Sequence, residues 1–92
     1  MNIEQLKQFL TISPFGCFKY VSFIDNTFEF GLALLSDHKS MVDNEKIVRG
    51  AGFLYVSHRT IEIEGHSISL KIGPHKDDER IISELLNMTI RE

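Results

Sequence analysis

Cysteine occurs once in this chain, at Cys17, and proline twice, at Pro14 and Pro74. A lone cysteine excludes an intramolecular disulfide and fits a reducing compartment, so the expected location is the cytoplasm. Runs of like charge are missing: ten Lys and Arg lie scattered among thirteen Asp and Glu, for a formal net charge of −3. That balance offers no electrostatic footprint for a nucleic-acid backbone, and no nucleic-acid partner is expected. Long apolar runs are missing too. No stretch approaches the ~20 apolar residues that span a bilayer. Residues 1–15 carry Asn2, Glu4, Gln5, Lys7 and Gln8, so they hold no signal-peptide core. No membrane association is expected. Gly50-Ala51-Gly52 leads into a strand pattern and not into a helix N-terminus, which argues against a phosphate loop, and no cofactor is expected.

What is present suits one small domain. Ninety-two residues leave no room for a second core, and 42% hydrophobic with 25% charged residues is ordinary for a folded chain. A domain this short buries roughly 60–65% of the surface its unfolded chain exposes, so oligomerisation is one route to extra stability.

Asn2 and Gln5 have capping-box spacing, and Ile3, Leu6, Phe9 and Leu10 then share one helical stripe until Ser13-Pro14 stops it. From Gly16 to Leu35 aromatic and β-branched residues dominate, broken by Asp25-Asn26, which is turn chemistry between two strands. With Asp25-Asn26 as a two-residue loop, Val21 falls opposite Phe30, Lys19 opposite Leu32 and Cys17 opposite Leu34, and Cys17 points inward. Phe18, Tyr20, Ser22 and Ile24 with Ala33 and Leu35 then form the reverse face. Residues 36–46 are polar and read as a loop with room for one helical turn.

Further on, His58-Arg59 and Gly65-His66 read as two tight turns of a three-stranded meander. Val56 falls opposite Ile61, Leu54 opposite Ile63, Ile63 opposite Ile68 and Ile61 opposite Leu70, all apolar pairs. Phe53, Tyr55, Thr60, Glu62, Glu64, Ser67 and Ser69 take the wet face. Gly73-Pro74 ends the last strand. Asp77, Asp78 and Glu79 then suit a helix N-terminus ahead of an Ile81, Ile82, Leu85 and Leu86 stripe, which is expected to cover the isoleucine-rich sheet face. The predicted fold is α+β: one domain over 1–92, with an antiparallel sheet of about five strands between an N-terminal and a C-terminal helix, in the order αββ-βββα.

Chemistry-bearing residues are few. His58 and His66 lie at opposite ends of one predicted strand, roughly 20–25 Å apart by strand rise, so they cannot share an ion. His75 is expected to return to the His58 end. His58, His75 and Asp77 or Asp78 would there form a metal-binding cluster of nitrogen and oxygen donors, the basis of a small metal-dependent enzyme or ligand binder. Cys17, predicted inward, reads as a packed thiol and not a nucleophile. Glu62 and Glu64 beside Phe53 and Tyr55 suit a protein interface or a cationic ligand.

Ala51-Gly52-Phe53 and Gly65-His66-Ser67-Ile68-Ser69-Leu70 resemble segments of small uncharacterised bacterial proteins such as those encoded by mobile (integron-type) gene cassettes. The likeness covers about the second half of the chain and implies no activity. Gly65, Ser67, Gly73 and His75 after a β-rich stretch are similar to a pattern of the Janus-type phosphohistidine phosphatases. The distance from Ser67 to Gly73 is longer than in that family, and the family's catalytic histidine is not carried over. The leading expectation is therefore a non-enzymatic binding or protein-interaction module acting as a homodimer. Its contact residues are Phe18, Tyr20, Ile24, Ala33, Leu35, Phe53 and Tyr55, with Gly31 and Ala33 leaving room for a small, flat apolar ligand.

Overall fold

The computed structural model describes residues 1–91. Helix α1, Ile3–Ile12, begins where the capping box places it. The Asn2 side chain accepts the Gln5 N–H and the Gln5 side chain accepts the Asn2 N–H, each at 2.9 Å. Two donors that a helix start leaves unpaired are thereby satisfied. Five strands follow: β1 Gly16–Phe23, β2 Phe28–Leu32, β3 Val48–Ser57, β4 Thr60–Glu64 and β5 Thr89–Ile90. Helix α2, Asp78–Leu86, precedes β5, and a single 3₁₀ turn, His38–Met41, supplies the helical turn expected in the polar loop. The sheet runs β2-β1-β3-β4-β5, antiparallel except for the parallel β4–β5 pair. The chain is thus α+β with a helix towards each end, as its patterning implies.

Both helices pack on one sheet face. Phe18, Tyr20, Phe28, Phe30, Leu54, Val56 and Ile61 meet Leu6 and Leu10 of α1 and Ile82 and Leu86 of α2 in the main core. Full burial of such side chains contributes about 1.5–3 kcal/mol each. The opposite face carries a smaller cluster of Val21, Phe23 and Ala51, covered by Met41, Leu70 and Ile72 from loops. We call these the helix face and the loop face.

Two sequence expectations require correction. The β1–β2 loop has three residues, not two: Phe23 N–H reaches Thr27 O, Asn26 N–H returns to Phe23 O, and Asn26 adopts a left-handed φ of 66°. The register therefore sets Tyr20 opposite Phe30 and Lys19 opposite Gly31. One residue of slip exchanges the faces of β1, so Phe18 and Tyr20 are fully buried and Cys17 sits half-buried on the loop face.

The second correction concerns the meander. Its first hairpin forms in the expected register, with Leu54 opposite Ile63 and Val56 opposite Ile61, through a His58-Arg59 turn whose two φ angles are positive. The third strand does not form. After Gly65 the chain folds back on itself, Ser67 and Ile72 exchanging backbone hydrogen bonds, and Leu70 and Ile72 plug the loop face. Gly73 then passes the sheet edge, its carbonyl accepting from Ala51 N–H at 3.1 Å, and Pro74-His75 emerge on the helix face. The free edge of β4 is taken instead by β5, once Asn87, left-handed at φ 54°, has ended α2.

Candidate functional site

The densest polar array in the molecule is centred on Asp78, the first residue of α2 and 0% exposed. Its Oδ2 accepts from Tyr20 Oη, Ser22 Oγ and His75 N, each at 2.9 Å. Its Oδ1 accepts from Arg49 Nε at 3.2 Å and Arg49 Nη2 at 3.0 Å. Arg49 is itself clamped, with Nη1 on Asn26 Oδ1 and its guanidinium 5.8 Å from the Phe28 ring centroid. Burial, then the charge and hydrogen bond of Asp78, push the Tyr20 phenol far above its ordinary pKa. Five donors fill the carboxylate's acceptor positions, so this centre joins β1, β3, the β1–β2 turn and α2 with no free lone pair to offer a substrate.

Gly50 and Gly52 make the approach possible. A Cβ on Gly50 would fall 2.6 Å from both Asp78 Oδ2 and His75 N, and one on Gly52 would fall 2.9 Å from Pro74. The glycines of Gly50-Ala51-Gly52 thus permit a close backbone approach, and the visitor is the segment from Pro74 to Asp78. Tyr20, Ser22 and Arg49 escape sequence reasoning as partners of Asp78. Tyr20 sits in an aromatic strand and Arg49 near the start of β3, and nothing in either spacing points to the other.

The expected contact residues divide. Phe18 and Tyr20 are core residues and present no surface. Ile24 is 58% exposed at the β1–β2 turn, its N–H on Ile47 O. Ala33 is half-buried, while Leu34 and Leu35 are 98% and 82% exposed. Gly31 leaves no room for a flat ligand, because the position of its missing Cβ is filled by Ser36. Phe53 is half-buried and Tyr55 exposed on the loop face. The metal cluster does not assemble. His75 lies against Gly50 at the start of β3, whereas His58 turns at its far end, roughly 25 Å away by strand rise. The cause is the missing third strand, which was to bring His75 back. His75 Nδ1 accepts the Asp77 N–H at 3.2 Å, and His58 packs edge-on to Phe15 at 4.9 Å between centroids. Among the described residues no group of three or more His, Cys, Asp or Glu is arranged to hold a metal ion.

What remains open is half of the loop face. Ala33 N–H bonds Cys17 O, Cys17 pairs with Tyr55, and Tyr55 with Glu62, so these four residues cross the sheet in one row. Leu34 and Leu35 stand at its β2 end. The next row is Gly31, Lys19, Phe53 and Glu64. At strand spacing the first row spans about 15 Å. Beyond the second row lies a cleft of ≈ 310 Å³ lined by Lys19, Asp37, His38, Phe53, His66 and Ser69. His38 is 3% exposed and its Nε2–H donates to Gly52 O at 2.8 Å, fixing the 3₁₀ turn to β3. A histidine in a polar loop carries no sequence signal of this burial. A wider groove, ≈ 610 Å³, follows the β2 edge between Phe9 and Met41. Within it Met1 O accepts from Phe30 N–H at 2.7 Å.

No family model, no curated protein and no solved structure matches this chain. No helix among the described residues is long and apolar enough to cross a membrane.

Proposed function

We propose that the chain is a non-enzymatic protein-interaction module that acts as a homo-oligomer, using the open half of the loop face. The observation that carries the reading is the Leu34-Leu35 pair, 98% and 82% exposed at the end of a row of partly exposed sheet residues. Two adjacent leucines held in water beside a half-open sheet face make a contact surface. A chain of 92 residues also gains stability from a partner that its own core cannot supply. A non-enzymatic role is supported by the Asp78 array, whose polar groups are spent on one another inside the core.

Native mass spectrometry with sedimentation equilibrium tests the proposal. The expected result is a dimer for the native sequence and a monomer for the Leu34→Asp/Leu35→Asp variant, with identical far-ultraviolet circular dichroism. A native monomer across the micromolar range, or a variant that stays dimeric, would sink the self-association reading.

A further inference from the structure

The two ends of the open row differ in chemistry. At the β2 end stand leucines; at the β4 end stand Glu62 and Glu64, two residues apart on one strand and so on one face. Most other acidic side chains are answered within the fold. Glu4 pairs with Lys7, Asp25 with Lys46, Asp78 with Arg49 and Glu84 with Arg80, and Glu79 accepts the Ile63 N–H. Neither Glu62 nor Glu64 has an ion-pair or hydrogen-bond partner among the described residues, although Glu62 is half-buried.

Their neighbours on β3 are aromatic: Tyr55 pairs with Glu62 and Phe53 with Glu64. Lys19, the cation that the strands place on this face, makes no ion pair with either glutamate. Its Nζ donates to Ser36 O at 2.7 Å and lies 5.9 Å from the Phe53 centroid. Partial burial, then Cys17, and last the charges of Glu64 and Glu62 hold the Tyr55 hydroxyl above its ordinary pKa.

Resting on the reading of this face as a contact surface, we propose that Tyr55, Glu62 and Glu64 receive a basic segment of a different protein. An arginine of that segment lies over the Tyr55 ring and pairs with the two carboxylates. The argument is charge complementarity: a planar guanidinium stacks on an aromatic face and bridges carboxylates at the same time, which an ammonium does less well. A net charge of −3 makes a second copy of this chain a poorer occupant of the glutamate end than a basic partner.

The test is a titration of the ¹⁵N-labelled full chain with a synthetic peptide of alternating arginine and serine, with glutamate replacing arginine in a control peptide. Saturable amide shifts are expected at Cys17, Tyr55, Glu62 and Glu64, weakening as salt is raised. Affinity should fall about tenfold in Glu62→Gln/Glu64→Gln and by less than about twofold in Glu4→Gln/Glu84→Gln, which removes the same charge elsewhere. Because Glu62 is half-buried, Tyr55→Ser serves as the second variant and should weaken binding similarly. The proposal is overturned by the absence of shifts, by shifts centred elsewhere, by an equal response to the control peptide, or by equal losses in the two glutamine pairs. A dimer whose peptide shifts map away from Tyr55 overturns this inference alone. A monomer that binds the peptide at Tyr55 overturns self-association alone.

Discussion

Neutralising Asp78 should cost this protein a large part of its stability. In Asp78→Asn one oxygen becomes an NH₂ group. If that group takes the Oδ2 position it faces the His75 N–H, which has no other acceptor to turn to; if it takes the Oδ1 position it faces two guanidinium N–H groups of Arg49. Tyr20 and Ser22 can rotate their hydroxyls to accept, but a backbone N–H and a guanidinium cannot. Removing one member of a buried ion pair costs about 3–5 kcal/mol, mostly because its partner is left uncompensated. With Asp78 0% and Arg49 12% exposed, little solvent is available to soften that penalty. Against a total of about 5–14 kcal/mol for a chain this long, the loss decides whether the fold survives warming. With a urea slope of about 1–1.5 kcal/mol per molar, the unfolding midpoint should fall by about 2–5 M. The discriminating measurement is a double-mutant cycle. Asp78→Asn and Arg49→Met should each destabilise by about 3 kcal/mol, while the double variant loses little more than either, a coupling of about 2 kcal/mol. Additive losses, or midpoints within about 0.3 M of the native protein, would refute the view that this pair holds the strands to α2.

Two further outcomes follow from the same centre. Gly50→Ala should destabilise by about 1–3 kcal/mol in urea or thermal melts, because the new methyl meets a buried carboxylate and a backbone nitrogen at 2.6 Å. Gly73→Ala, whose nearest neighbour is 3.7 Å away, serves as the tolerated comparison, and equal losses would refute the argument. Tyr20 keeps its proton in the folded state while the unfolded phenol loses it near its ordinary value of 10.0. Its contribution is therefore fully present below that pH and declines above it by about 1.4 kcal/mol per pH unit. Urea unfolding at rising alkaline pH should show a flatter decline for Tyr20→Phe, and identical slopes would show that the Tyr20 phenol ionises normally.

Local signals in the sequence suffice where one residue pair decides the outcome. Asn2 with Gln5 located the start of α1. The apolar pairs Leu54–Ile63 and Val56–Ile61 located the β3–β4 register, because a slip of one would bury Glu62 and Glu64. The Ile81, Ile82, Leu85 and Leu86 stripe located the inward side of α2. The β1–β2 register was not legible. Both faces of β1 are apolar, so hydrophobic alternation could not arbitrate, and a left-handed Asn26 in a three-residue loop decided it. The third meander strand failed for a related reason: Ile68 and Leu70 fit a strand pattern equally well whether paired to β4 or turned onto the loop face. Structure leaves Ile68 82% exposed and seats Leu70 on Val21, Phe23 and Ala51. Two-residue β5 carries too short a pattern to be seen at all.

The passage of Gly73 past the sheet edge makes one segment answerable to both sides of the molecule. Leu70 and Ile72 pack half-buried beneath the sheet, Gly73 bonds its rim through Ala51, and Asp78 is anchored above it, all within nine residues of chain. Such a strap holds to a rim that β1 and β3 build by pairing. Once closed, neither layer can peel away without dragging the other. Lifting α2 pulls on the plug below, and loosening the plug pulls on the helix start. The Ala51 amide, held where the strap turns, should consequently exchange its hydrogen only when the whole domain opens.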